Sequence, residues 1–169
     1  MTLDTFKNLF LGELQDLYSA ESQQLVALPQ MMEAAQHQEL KRAFRHHLNE
    51  TQEHVRRLQD ILDELGVDPG DETCEAMQGL IEEAYEVIAS YGDRDVKDVA
   101  LIGCAQKIEH YEIAGYGTTR TFARHLGFDE HAELLDRTLG EEGAADHKLT
   151  SLAEGGWFTS GINKEAAQH

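Results

Sequence analysis

Residues 102–123 read IGCAQKIEHYEIAGYGTTRTFA, and they place two glutamates on a stripe that is otherwise mainly apolar. Glu109 and Glu112 fall between Ile102 and Tyr116 at steps of three and four residues. This spacing keeps side chains on one face of an α-helix. An ionised carboxylate in an apolar core is very costly without a positive partner. The stripe therefore predicts a buried helix face that meets a cation.

Three other segments have a stripe of the same kind, with acids among apolar residues at helical spacing. They comprise Leu14, Leu17, Glu21, Leu25 and Leu28; His47, Glu50, His54, Leu58, Ile61 and Leu65; and Leu135, Leu139, Glu142, Asp146, Leu149 and Leu152. Di-metal bundles are built from four helices whose acids converge on one point. The pattern predicts an all-α, four-helix bundle with carboxylates directed into its core.

The helix boundaries follow from the stripes and from the glycines that interrupt them. Glycine is favoured just past a helix end, so Gly66 and Gly127 are expected to end the second and third long helices. Asp95 is expected to cap the start of the third. We predict long helices over residues 4–36, 38–65, 95–126 and 129–154, a shorter helix over 73–91, a bundle domain over 1–156 and a C-terminal tail over 157–169.

The lengths of the connections predict how the helices are arranged. Short turns join the first long helix to the second and the third to the fourth, so each pair is expected to form an antiparallel hairpin. The link between the hairpins is long and has its own helix, so it can cross from one end of the bundle to the other. The second and third long helices would then run parallel, as in a ferritin-like bundle.

The composition excludes several classes of protein. The chain has 169 residues, of which 41% are hydrophobic, and a formal net charge of −18. That charge would repel nucleic acid and anionic membranes, and no apolar run reaches the ~18 residues of a membrane span. The first residues do not resemble a secretion signal. Cys74 and Cys104 form no Cys-x-x-Cys pair, and we expect a cytoplasmic protein.

The acids and histidines of the four stripes are the candidate metal ligands. Carboxylates with one or two imidazoles suit iron or manganese, so two iron ions are predicted, with manganese as the alternative. The predicted ligands are Glu21 and Glu112 as terminal or bridging ligands, Glu50 and Glu142 as bridging ligands, His54 and Asp146 completing each half, and Glu109 as an extra ligand that swings with redox state.

Glu53 is the rival of His54 as a ligand. It stands three residues after Glu50, at the spacing of the di-iron Glu-x-x-His pattern. Its helix face also has Asn49, Arg57 and Asp60, which are typical of a solvent-facing side, and the position three after Glu142 is Ala145, which cannot bind a metal. Both facts favour His54.

Three more side chains fall one helical turn from the predicted ligands. Tyr18 precedes Glu21 by one turn and Tyr116 follows Glu112 by one turn. Each tyrosine could donate a hydrogen bond to a ligand or an electron to the metals, or could be an ordinary core tyrosine. His47, one turn before Glu50, is a further residue that could reach the site or a carboxylate around it.

Several strings of this sequence are those of a known family. They are DLYSAE (16–21), HLNET (47–51), CEAMQGLIEE (74–83), QKIEHYEIA (106–114), YGT (116–118), and EE (141–142) followed by Asp146 and KLT (148–150). On these residues the chain resembles the YciF-like stress proteins, a ferritin-like group known as a domain of unknown function. The resemblance implies a rubrerythrin-like bundle with an additional helix, a homodimer, a two-metal centre and induction under stress.

Three functions are consistent with these residues. The first is a di-iron protein that oxidises Fe(II) with O2 or peroxide, which are its small-molecule substrates. The second is a di-manganese catalase-like enzyme that dismutates peroxide, because the same ligands serve manganese. The third is a non-enzymatic dimeric helical protein whose buried acids are protonated.

Overall fold

The computed structural model describes residues 3–156 and 159–168. The five longest helices are α1 (Phe6–Ala34), α2 (Gln38–Leu65), α3 (Glu75–Ala89), α4 (Arg94–His125) and α5 (Asp129–Glu154). The antiparallel pair of β1 (Gly155–Gly156) and β2 (Thr159–Ser160) then leads to α6 (Ile162–Ala166). The predicted all-α class is confirmed, and each predicted helix end lies within two residues of the observed one.

The helices α1, α2, α5 and α4 form a four-helix bundle in which each packs against two of the others. Phe6 at the start of α1 contacts Phe122 near the end of α4, whereas Gln36, just after α1, bonds Asp98 near the start of α4. Helices α1 and α4 are therefore antiparallel. Because α2 folds back along α1, α2 and α4 run parallel, as predicted. Helix α3 crosses the face formed by α1 and α4.

Helices α1, α2 and α4 each bury a row of residues at alternating steps of three and four. In α1 the buried row comprises Phe10, Leu14, Leu17, Glu21, Gln24, Leu28 and Met31. This repeat is the one that packs helices in four-helix bundles. One apolar cluster, which includes Leu14 and Leu135, lies towards one end of the bundle, and a second, which includes Met31 and Leu101, lies towards the other. The polar residues of the rows lie in a layer between the two clusters.

The start of α4 differs from the prediction. Asp93, not Asp95, is the N-cap, and its side chain accepts hydrogen bonds from the backbone N–H groups of Asp95 and Val96. The cap is set by extended backbone at Asp93, which the spacing of apolar residues does not reveal. At the end of α2, Gly66 adopts a φ of 68°, a left-handed conformation that favours glycine, and the predicted stop is confirmed.

The described part of the predicted tail packs on the bundle. Ile162 and Ala166 of α6 are buried, and α6 contacts α4 and α5. Trp157, where the tail was predicted to begin, lies outside the described residues. Within residues 3–156 and 159–168, no helix has both the length and the hydrophobicity that a membrane crossing requires.

A polar cluster fixes α3 to the bundle where the helix begins. The Cys74 backbone N–H donates to the Ser19 hydroxyl at 2.9 Å. The Cys74 sulfur lies 3.0 Å from the Tyr111 hydroxyl and 3.3 Å from an Asp16 oxygen, and the Tyr111 hydroxyl donates to the same oxygen. The sequence pattern around Cys74 thus serves to attach the connecting helix to α1 and α4.

Replacing Asp16 with alanine tests this attachment. The Tyr111 hydroxyl and Cys74 thiol would lose their common acceptor, so we expect the free energy of unfolding to fall by about 1–3 kcal/mol. Urea denaturation measures this change. Glu33→Ala, at an exposed position of the same helix, is the control and should stay within about 0.5 kcal/mol of the wild type. Equal stabilities of the two variants would contradict the attachment.

Candidate metal centre

The polar layer at mid-bundle brings together side chains from all four helices. They are Glu21 of α1, His47 and His54 of α2, Glu109 and Glu112 of α4, and Glu142 of α5. Each is at most 5% exposed. Four carboxylates and two imidazoles therefore meet in a buried layer between the two apolar clusters.

These side chains form two groups that could each hold a metal ion. The first is Glu21, His54 and Glu142, and the second is His47, Glu109, Glu112 and Glu142. Within each group the ligand atoms all lie within 4.8 Å of one another. Glu142 belongs to both groups, and its two oxygens face different histidines. Its Oε1 lies 2.9 Å from His54 Nδ1, and its Oε2 lies 3.7 Å from His47 Nε2.

Many of these atoms are close together without being hydrogen-bonded. The buried atoms of the layer that have no hydrogen-bond partner are Glu21 Oε2, Glu109 Oε2, Glu112 Oε2, both oxygens of Glu142, His54 Nδ1 and both nitrogens of His47. Buried polar atoms in proteins are nearly always paired, and an unpaired buried carboxylate is very costly. The donor set fits divalent cations that accept oxygen and nitrogen ligands.

Each histidine faces the centre with one nitrogen and an outer carboxylate with the other. His54 Nε2 lies 2.9 Å from Glu141 Oε2, and Glu141 is held in turn by the Arg57 guanidinium. His47 Nδ1 lies 3.5 Å from Glu50 Oε2. Outer carboxylates of this kind fix the ring orientation of metal-binding histidines and make the inward nitrogen a better ligand.

Two further side chains hold carboxylates of the layer in place. The Tyr116 hydroxyl donates to Glu21 Oε1 at 2.6 Å, and the Gln24 amide donates to Glu112 Oε1. Both residues are buried. Each leaves the second oxygen of its partner free to bind a cation.

The charges of the layer shift the pKa values of its members. Burial raises the pKa of Glu21 to about 7, and the charge of Glu142 adds to this. Burial also raises the pKa values of Glu109 and Glu112. For His54, burial lowers the pKa, but the adjacent carboxylates outweigh it and the pKa rises to about 11. Without a metal the layer therefore retains protons.

Two predicted ligands lie outside both groups. Glu50 is 23% exposed and lies 3.4 Å from His46, and Asp146 is 21% exposed and accepts a hydrogen bond from Gln106. The inward position beside Glu50 is taken by the buried Thr51. Glu50 therefore stands one residue from the inward row of α2, which rotates it by about 100°. In α5, Ala145 and Asp146 are both half-buried.

Of the other predicted side chains, some reach the layer and some do not. Glu53 is 54% exposed and pairs with Arg56, whereas His54 is fully buried in the first group. Tyr116 contacts the layer through Glu21. Tyr18 is partly buried among apolar residues, and none of the hydrogen bonds found among the described residues joins it to a site carboxylate.

Four residues of the layer and its surroundings were missing from the predicted ligand set. They are His47, Gln24, Glu141 and Arg57. His47 was recognised as a further residue near the site, and its position on the Glu50 stripe was the signal. Gln24 continues the row of Glu21 at a step of three, which could have revealed it. The pair of Arg57 and Glu141 joins residues 84 positions apart and left no signal in the sequence.

Comparisons with known proteins agree with this fold and its residues. The family described as a domain of unknown function, DUF892, matches residues 5–167. Protein YciF of Escherichia coli (strain K12) is 44% identical over 167 residues, which cover 98% of each chain. This chain belongs to the DUF892 family of YciF-like proteins. The resemblance stated from the sequence strings is confirmed.

Solved structures of YciF-like proteins match this family member closely. The crystal structure of the E. coli stress protein YciF aligns with a TM-score of 0.86 at 45% identity, covering 89% of this chain and 95% of that chain. YcfI from Rhodopseudomonas palustris aligns with a TM-score of 0.85 at 41% identity, covering 90% and 99%. A protein from Xanthomonas campestris pv. campestris shares the fold, with a TM-score of 0.71 at 23% identity.

The pKa shifts predict how the stability of the metal-free protein depends on pH. Glu21 has a folded pKa of about 7 against an ordinary 4.5, so its stabilising proton is lost as the pH rises through 7. For His47 burial lowers the pKa, but Glu109 and its neighbours raise it to about 9, so its contribution is complete below 6.5 and lost through 9. We expect the free energy of unfolding, measured with a chelator present, to fall between pH 5 and pH 9.

The Glu21→Gln variant is the control for this pH dependence. It lacks the titrating carboxyl, so its stability should fall less steeply between pH 5 and pH 7. A stability of the metal-free wild type that rises over this range would show that the buried carboxyls do not retain their protons.

Removing Glu141 tests the role of the outer carboxylates. In Glu141→Ala, His54 Nε2 loses its acceptor and Arg57 loses its partner, so we expect metal affinity to fall by about 10–100-fold. An anaerobic Fe(II) titration against a competing chelator measures it. Glu133→Ala, at an exposed position of α5, should leave the affinity unchanged, and an equal affinity in the Glu141 variant would refute the role.

Proposed function

We propose that this YciF-like protein holds two iron ions in the mid-bundle layer and oxidises Fe(II) with O2 or a peroxide. One observation supports this above all: six buried ligands from four helices form two groups that share Glu142. The four carboxylates of the two groups would balance the charge of two divalent ions. Because the charges would cancel, burying these carboxylates would no longer carry the cost of an unpaired charge.

The two groups divide the ligands between the ions. Glu21 and His54 would bind one ion, His47, Glu109 and Glu112 would bind the other, and Glu142 would bridge them with its two oxygens. Tyr116 and Gln24 each occupy one oxygen of a ligand, so they orient Glu21 and Glu112 towards the ions. Neither of these two side chains bonds Glu109, which would therefore be freer to move than Glu21 and Glu112.

The reaction needs two electrons for each peroxide. Bound iron would supply them, so that two Fe(II) and one H2O2 with two protons give two Fe(III) and two water molecules. The protein residues exclude bulk water from the layer and keep protons close to it. The Tyr116 hydroxyl donates to Glu21 Oε1 at 2.6 Å, and burial raises its pKa, so it would orient this carboxylate while keeping its own proton.

The ligand chemistry favours iron or manganese. The groups contain only carboxylates and imidazoles, and neither Cys74 nor Cys104 belongs to them. Hard oxygen and imidazole ligands suit both metals. Manganese in the same positions would favour catalase-like dismutation of peroxide. Elemental analysis of protein purified without added metal separates these two functions.

A non-enzymatic stress protein is the remaining alternative. The raised pKa values of Glu109 and Glu112 favour it, because protonated carboxyls can be buried without a metal. Such a protein would bind no Fe(II) at neutral pH. The homodimer, the cytoplasmic location and the absence of nucleic-acid and membrane partners stay predictions.

Replacing Glu142 tests the two-metal centre. Because it belongs to both groups, Glu142→Ala should lose both ions, whereas Glu133→Ala on the same helix should retain two per chain. Metal content after Fe(II) loading, together with O2 or peroxide consumption, measures the outcome. A wild type that binds no iron would refute the proposal, and a Glu142→Ala variant that retains both ions would refute the bridging role.

Asp146→Ala distinguishes the observed geometry from the predicted ligand set. Asp146 lies outside both groups and bonds Gln106, so we expect this variant to bind as much iron as the wild type. Loss of an ion would show that Asp146 turns inward when metal binds.

A further inference from the structure

A cavity of about 340 Å³ lies between α2 and α5, beside the second group of candidate ligands. Ala43 and Phe44 of α2 form one wall, and Ala145 and Leu149 of α5 form another. Its lining includes His47 and Glu109, which are 5% and 2% exposed. The cavity therefore connects the surface with one side of the candidate metal centre.

The buried polar side chains of this cavity have unused hydrogen-bonding capacity. His47 Nε2 lies 3.3 Å from Glu109 Oε1, but neither nitrogen of His47 is hydrogen-bonded and Oε2 of Glu109 has no hydrogen-bond partner. A small molecule that extends a polar end towards them would satisfy these atoms. Ala43, Phe44, Ala145 and Leu149 offer apolar contact, so the molecule that fits has a polar end and an apolar body.

The size of the cavity argues for a body larger than that of O2 or H2O2. Pockets for small organic ligands begin at roughly 300 Å³, and the present volume falls in that range. H2O2 is polar at both ends and would leave the apolar walls formed by Phe44, Ala145 and Leu149 without a matching group. An oxidant with an alkyl or aryl group would bury that group against them.

The charges at the cavity mouth favour a neutral molecule. Arg42 and Lys148 line the cavity together with Glu39 and Glu50, which gives two cationic and two anionic side chains. Arg42 is paired with Glu39. A ligand of either charge would therefore gain little net electrostatic attraction at the cavity mouth.

We propose that this cavity binds a neutral organic hydroperoxide, with its O–O group towards His47 and Glu109 and its alkyl or aryl body against Phe44, Ala145 and Leu149. The inference rests on the proposed function, because the electrons come from iron. The O–O bond of ROOH breaks, two Fe(II) are oxidised to Fe(III), and two protons from water complete the products ROH and H2O. Organic hydroperoxides are then the preferred oxidants of this centre.

Filling the cavity tests the proposal without depending on metal. The probe is 2-phenyl-2-propanol, the redox-inert alcohol that corresponds to cumene hydroperoxide. Saturation-transfer NMR on the metal-free protein should detect its binding to the wild type. Ala145→Phe should weaken binding by about tenfold or more, and Ala114→Phe, at an exposed position of α4, should leave it unchanged. Ala43→Leu, from the other wall, replaces Ala145→Phe if that variant does not fold.

The second measurement is single-turnover oxidation of Fe(II) in the loaded protein. Ala145→Phe should slow the reaction with cumene hydroperoxide about tenfold or more while changing the reaction with H2O2 by no more than about twofold. Equal slowing of both oxidants, or no binding of the alcohol to the wild type, would overturn the proposal. A protein that binds the alcohol but takes up no iron would instead refute the proposed di-iron function and leave the cavity as an organic-ligand site.

Discussion

Neutralising four carboxylates in a dry interior is the constraint on which the rest of this structure depends. Glu21, Glu109, Glu112 and Glu142 lie between two apolar clusters that exclude water. Such charges persist only with cations or protons beside them. His47 and His54 neutralise part of this negative charge. The raised pKa of Glu21 indicates that bound protons neutralise more of it in the absence of metal. Divalent ions would replace those protons.

The charged side chains that surround the layer also limit the negative charge near it. Outside the histidines stand Glu50 and Glu141, which would add negative charge to an already negative region. Arg57 binds Glu141 at a position that is only 12% exposed and so offsets that charge near the layer. Glu50 lies 3.4 Å from His46 and its side chain is 23% exposed, so solvent also screens its charge. Each outer acid can therefore orient a histidine without making the interior more anionic.

The sequence predicted the fold well because the fold depends on local periodicity. The apolar stripes, the glycine stops and the long link gave the helices, their order and the extra helix. They also predicted that Glu21, Glu109, Glu112 and Glu142 lie in the bundle core. They could not fix the rotation of each helix to within one residue, because steps of three and of four both stay near one face. The predictions for Glu50 and Asp146 rest on that ambiguity, whereas packing places Thr51 inward beside Glu50 and turns Asp146 towards Gln106 of α4.

The two halves of the centre are unequal, and this inequality follows from the helices that build them. Helix α2 contributes two histidines and no inward acid, whereas α4 contributes two acids one turn apart. The first group has Tyr116 bonded to one of its ligands, and its three ligands are fully buried. The second group includes the two ligands that line the cavity. An organic oxidant that arrives through the cavity would therefore meet the second group before the first. Its reduction would begin on the side of His47 and Glu109, with Glu142 as the link to the other half.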